Sequence, residues 1–149
     1  MLEINNLIGL QECQIMDLPK ILDDRGNLGV IEAGRPVPFL IKRVYWVYDV
    51  PGGEVRGGHA YKHLQEFFIS LSGSFDVELD DGLNRRTVSL NRSYFGLYVP
   101  NLIWHHLKNF STNSVCMVLA SLPYSEEDYV RDYGTFLSIA RSEKNNVDH

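Results

Sequence analysis

The 149 residues are 44% hydrophobic and 22% charged, the composition of an ordinary globular chain long enough to bury one core without staples. Fourteen Lys and Arg against 19 Asp and Glu leave a formal charge of -5, which offers no broad basic surface and argues against nucleic acid as a partner. No apolar run approaches the roughly 20 residues that span a bilayer, and the opening MLEINN lacks a signal-peptide pattern, so a cytoplasmic chain with no membrane partner is expected.

In chain order, residues 1–22 find no obvious place in a single barrel and are assigned to contacts in a homodimer. Short alternating or apolar runs then follow at 28–33, 41–50, 66–72, 74–80, 86–90, 94–99, 104–110 and 114–121, separated by turn formers such as Pro51-Gly52-Gly53, Ser72-Gly73 and Pro100-Asn101. Asp81-Gly82 predicts a hairpin. After Pro123 the period changes: Ser125 and Asp128 read as a capping box, and Tyr129, Tyr133, Phe136 and Leu137 recur at helical spacing. The pattern predicts one domain over 1–149, all-β, a jelly-roll-like barrel with a C-terminal α-helix over 125–140 and a frayed tail from 142. Its mouth is the expected ligand site. Cys13 and Cys116 are expected as free thiols in a reducing compartment.

The densest chemical cluster is RGGHAYKH at 56–63, just before the apolar strand EFFISLS. On an extended strand residues i and i+2 share a face, so His59 and Tyr61 point together and Ala60 and Lys62 point oppositely. His105 and His106 face opposite sides, and one of them at most looks inward.

The spacing resembles the two cupin motifs: Gly53, His59-Ala60-Tyr61, Glu66 and Gly73 match the first, and Gly96, Pro100, His105 and Asn109 the second. The resemblance implies a double-stranded β-helix. In metal-binding cupins two histidines, a glutamate and a third histidine hold a divalent ion, but here Tyr61 stands at the second histidine, and a neutral phenol is a poor ligand. No bound metal is therefore expected, with His59, Glu66 and His105 as the facial triad that remains to be excluded.

A closer resemblance runs from Asp24 to about Phe136. It is carried by Asp24-Arg25-Gly26-Asn27-Leu28, IKRVYWVYDV, RGGHAYK, Asp80-Asp81-Gly82, Gly96-Leu97-Tyr98-Val99 with Trp104-His105, and Asp128-Tyr129-x-Arg131-Asp132-Tyr133. These segments resemble the sugar 3,4-ketoisomerases, cupins that act without metal or other cofactor on dTDP-4-keto-6-deoxyglucose in deoxy-aminosugar synthesis for O-antigens, S-layers and antibiotics. That family usually reads His-Ala-His where this chain has His59-Ala60-Tyr61. The resemblance implies an isomerase that shifts a carbonyl from C4 to C3 through an enediol or enediolate. His59 suits the C3 base, because imidazole works in both directions near pH 7. Tyr61 suits donation to C4 or to the developing oxyanion, and Tyr98 is a further catalytic candidate.

Arg25, Arg43 and Arg56 are the diphosphate candidates, since a guanidinium forks onto two oxygens at once; by resemblance Arg25 reaches the diphosphate across a dimer interface. Lys62 and His105 are taken as further substrate contacts. Tyr45, Trp46 and Trp104 are candidates for stacking on a thymine. A 3,5-epimerase of the same substrate class and a non-catalytic nucleotide-sugar-binding cupin are the competing readings.

Overall fold

Short apolar or alternating runs form the strands of this computed structural model, which describes residues 9–147. Among the described residues fourteen strands precede one α-helix: β1 Gln14–Asp17, β2 Lys20–Asp23, β3 Gly26–Gly29, β4 Glu32–Ala33, β5 Pro36–Val37, β6 Arg43–Tyr48, β7 Arg56–Tyr61, β8 Glu66–Ser72, β9 Phe75–Asp80, β10 Arg85–Leu90, β11 Phe95–Val99, β12 Trp104–Lys108, β13 Val115–Ala120, β14 Tyr129–Val130 and α1 Tyr133–Val147. In β6, Arg43, Tyr45 and Val47 are half-buried while Val44, Trp46 and Tyr48 are exposed, the period of two expected of a strand with one face on a core.

The strands pair into two antiparallel sheets, ordered β1-β11-β8-β13-β6 and β10-β9-β12-β7-β14. They face each other without closing into a barrel, in the double-stranded β-helix arrangement expected from the motifs. Phe68, Leu97 and Val118 of the first sheet join Val77, Leu79 and Leu107 of the second in one core. Each such side chain contributes about 1.5–3 kcal/mol by leaving water. The Asp81-Gly82 signal is realised in the β9–β10 hairpin, where Asp81 Oδ1 accepts from the amides of Leu83 and Asn84 at 2.9 and 2.8 Å. Cys13 and Cys116 are buried free thiols, and burial pushes Cys13 up to about 12.

Two expectations change at the ends. Residues 14–17 have a place within this one chain after all, because β1 pairs with β11 at the edge of the first sheet; residues 1–8 lie outside the described residues. The helix predicted from 125 starts instead at Tyr133. Ser125 makes no side-chain cap, and 126–128 form a single 3-10 turn leading into β14. Asp128 is drawn away: its carboxylate accepts from the amides of His63 and Leu64 at 3.0 Å each. The cap is Asp132, which accepts from the Thr135 amide at 2.8 Å. The helix then runs to Val147, through the stretch expected to fray, with Phe136 and Ala140 packed on Ala60, Trp104 and Val130 outside the second sheet. Among the described residues no helix is long and apolar enough to cross a membrane.

Candidate active site

A cavity of about 440 Å³ opens between the two sheets at the β6–β7 end. Its polar floor follows from register. β7 and β12 run antiparallel with His59 directly opposite His105, so both imidazoles and Tyr61 project from the same face. Gly57 lets the strands close this tightly: its φ is +92°, and a Cβ there would stand 2.9 Å from the His105 carbonyl oxygen. The ladder shifts register between His105 and His106, and His106 turns to the outer face beside Trp104.

His59 Nε2 lies 3.1 Å from the Tyr61 hydroxyl. The His59 ring meets those of His105 and Tyr129 edge-on at 4.9 and 5.0 Å. Burial, together with the charges that His105 and Arg131 bring close, lowers the His59 imidazole to about 3, so at neutral pH it is an unprotonated base. Burial, the Glu66 carboxylate and Tyr129 push Tyr61 up, keeping its phenol protonated. A neutral acceptor and a neutral donor thus share one hydrogen-bond contact.

Behind the pair sits Glu66, buried to 1% exposure. Its Oε2 accepts from the Tyr45 hydroxyl, and its Oε1 stands 3.3 Å from His105 Nε2, close enough for charge but without the alignment of a hydrogen bond. The other nitrogen of His105, Nδ1, donates to the Ile103 carbonyl at 3.1 Å, which fixes the ring. A carboxylate this deep is costly unless partnered; the Tyr45 phenol partners Oε2, while Oε1 has no hydrogen bond among the described residues. Burial and the Glu66 charge push the Tyr45 phenol up.

Arginines and tyrosines form the mouth. Arg43 and Arg56 line it with Tyr124 and Tyr129. The Arg43 guanidinium lies 5.2 Å from the Tyr45 ring centre and 5.5 Å from that of Tyr124. Its Nε is buried and has no hydrogen-bond partner among the described residues. Of the residues singled out in the sequence, the fold therefore brings His59, Tyr61, Tyr45, Arg43, Arg56 and His105 to one cavity.

Five others lie elsewhere. Tyr98 faces out from the first sheet toward Phe39 and donates to Gln65 Oε1. Lys62 is exposed beyond the end of β7. Trp104 alternates away from His105 and packs against Tyr133 and Phe136 of α1 at 5.3 and 5.6 Å. Arg25 is 90% exposed on the β2–β3 hairpin, in a salt bridge with Asp23 at 3.1 Å. Trp46, the other stacking candidate, is also exposed on the outer face of β6.

Sequence reasoning did not assign Tyr124 or Tyr129 to the site, nor Glu66 a role beyond the metal triad. The inward alternation of Arg43, Tyr45 and Val47 was the available signal for a polar patch facing β7 across the cavity. For the trio His59, Glu66 and His105, no three His, Cys, Asp or Glu side chains among the described residues are grouped to share one ion.

Residues 11–141 match the family model described as FdtA: WxcM-like, C-terminal. A TDP-4-oxo-6-deoxy-alpha-D-glucose-3,4-oxoisomerase of Aneurinibacillus thermoaerophilus is 44% identical over 125 residues, 84% of this chain and 90% of that one. The TDP-quinovose 3,4-ketoisomerase WlaRB of Campylobacter jejuni is 42% identical and superposes with a TM-score of 0.83, over 86% of this chain and 98% of its own. A histidine-to-asparagine variant of the 3,4-ketoisomerase QdtA of Thermoanaerobacterium thermosaccharolyticum, in complex with TDP-4-keto-6-deoxyglucose, is 33% identical with a TM-score of 0.85, over 87% and 94%. By contrast, a dTDP-4-dehydrorhamnose 3,5-epimerase of Bacillus anthracis is 16% identical with a TM-score of 0.71, a likeness of fold alone. The chain therefore belongs to the FdtA family of sugar 3,4-ketoisomerases.

Proposed function

We propose that this protein isomerises a TDP-linked 4-keto-6-deoxy sugar to its 3-keto isomer, in deoxysugar synthesis for surface polysaccharide, with His59 and Tyr61 as the proton carriers. The observation that carries this reading is the 3.1 Å contact between His59 Nε2 and the Tyr61 hydroxyl on the cavity floor. The neutral imidazole removes the C3 proton as the C3–H electron pair forms the C3=C4 bond and the C4 carbonyl becomes an enolate oxygen. Tyr61, a protonated phenol beside it, donates to that oxygen and recovers a proton from O3 as C3 becomes the carbonyl, while the proton held on His59 passes to C4, directly or relayed through Tyr61. Protons leave C3 and O3 and arrive at C4 and O4, and both side chains end as they began. A positioned acid and base typically contribute about 10²–10⁴-fold each, and stabilising the oxyanion is commonly the largest single effect.

Arg43 and Arg56 at the mouth suit the diphosphate, and the open Arg43 Nε is a donor without a partner in the cavity wall. Tyr45 and His105, braced by Glu66, suit the sugar hydroxyls. The reading makes no use of metal or other cofactor. It takes the working unit as a cytoplasmic homodimer in which Arg25 of the partner subunit meets the diphosphate; the hairpin that carries this residue stands clear of its own cavity. Incubation with TDP-4-keto-6-deoxyglucose, followed by ¹³C NMR, tests the function. A new carbonyl resonance at C3 with loss of that at C4 is expected; an unchanged substrate would refute it.

A further inference from the structure

The segment that runs from the end of β13 into β14 carries Tyr124 and Tyr129 into the cavity wall, yet most of it is exposed to water. Its two ends are fixed. The Ser121 amide donates to the Gln65 carbonyl at 3.0 Å, and Asp128 holds the amides of His63 and Leu64. Between these anchors stands Glu126. Its Oε1 accepts from Arg131 Nε at 2.6 Å, and its Oε2 accepts from another Arg131 guanidinium nitrogen at 3.0 Å and from the Tyr124 hydroxyl at 2.6 Å. Both partners then touch the same ring: the Arg131 guanidinium lies 4.1 Å from the centre of Tyr129, and the Tyr124 ring lies 5.7 Å from it. Tyr129 in turn packs on His59 at 5.0 Å and on Tyr61 at 4.7 Å.

We infer that Glu126 is a positioning residue for the His59–Tyr61 pair, acting through Arg131 and Tyr124 to hold Tyr129 against both. This assignment rests on the ketoisomerase reading. A two-pronged carboxylate is the right chemistry for the task, because a single side chain fixes a planar fork and a phenol at once. Exposed ion pairs contribute little to global stability, so the clamp shapes the site without holding up the fold. Arg131 lowers the His59 imidazole and Glu126 opposes it in part.

The test compares wild type, Glu126→Ala, and the charge swap Glu126→Arg with Arg131→Glu, measuring turnover of TDP-4-keto-6-deoxyglucose, affinity for TDP and thermal midpoint. Misplacing a reacting group by a fraction of an ångström costs an order of magnitude or more, so Glu126→Ala should lose about tenfold in kcat. TDP affinity should stay within about twofold, the midpoint should fall by no more than about 3 °C, and the swap should recover a substantial part of kcat. Wild-type kcat in Glu126→Ala would overturn the assignment, as would a loss of TDP affinity or of folding as large as the loss of rate. A wild-type protein that leaves the keto sugar unchanged would overturn the ketoisomerase reading and this role together, and is told apart by failing before any variant is compared.

Discussion

His59 and His105 stand directly opposite each other on neighbouring antiparallel strands, with their rings 4.9 Å apart, yet they serve different neighbours. His59 faces the Tyr61 hydroxyl, whereas His105 is tied to the Ile103 carbonyl, with Glu66 Oε1 3.3 Å from its other nitrogen. One imidazole is therefore free to exchange a proton with a ligand while the other is held in place. Replacing His59 by Asn keeps a polar side chain of similar reach but removes the base. Turnover should fall about 10²–10⁴-fold while TDP affinity, measured calorimetrically, stays within about twofold, because the mouth arginines are untouched.

Substitutions at Tyr61 separate oxyanion stabilisation from proton transfer to C4. Tyr61→Phe should lower kcat by about tenfold if the phenol only steadies the oxyanion, and by as much as His59→Asn if it carries the proton to C4. Tyr61→His restores the pattern usual among similar ketoisomerases and should retain or raise turnover, or change the C4 configuration of the product. Steady-state kinetics with NMR of the product distinguishes these outcomes.

Tyr45→Phe should destabilise the fold by about 1–3 kcal/mol, because it leaves Glu66 Oε2 buried without its donor. Denaturant unfolding read by circular dichroism checks the size of the effect. An unchanged midpoint would mean that Glu66 is not held by this phenol.

The depressed His59 imidazole also predicts a pH dependence of stability. The unfolded imidazole titrates near 6.5 and the folded one at about 3. Between these values the unfolded chain binds the extra proton, so stability is lost as pH falls from about 6.5, and the loss levels off below about 3. The slope from this group is at most about 1.4 kcal/mol per pH unit. Unfolding midpoints measured between pH 7 and 4 should fall less steeply in His59→Asn than in wild type; identical slopes would show that His59 titrates normally in the fold.

How much of this was legible in the sequence differs from residue to residue. The His59–Tyr61 pairing follows from strand alternation alone, and the inward choice of His105 over His106 from motif register. Local signals placed β8 and the β9–β10 hairpin because their determinants, the apolar run EFFISLS and Asp81-Gly82, sit within a few residues of the structure they specify. The helix start escaped for the opposite reason. Asp128 looks like half of a local capping box, but it serves amides 64 and 65 residues earlier in the chain, a partnership no local window contains. Trp104 and Tyr98 escaped because an aromatic in a strand reads alike on either face, and only the docking of α1 and the packing of Phe39 decide which face is covered. The bracing of His105 and Tyr45 by Glu66 joins three strands of two sheets, so it became visible only when they were assembled.

The most direct test of the central claim is to incubate the protein with TDP-4-keto-6-deoxyglucose in deuterated water and locate the label by NMR. The account predicts a 3-keto product bearing deuterium at C4, recovered substrate labelled at C3, and neither signal in His59→Asn. A sugar that keeps its carbonyl at C4 while deuterium enters C3 and C5 with inversion, or one that takes up no deuterium at all, would contradict it.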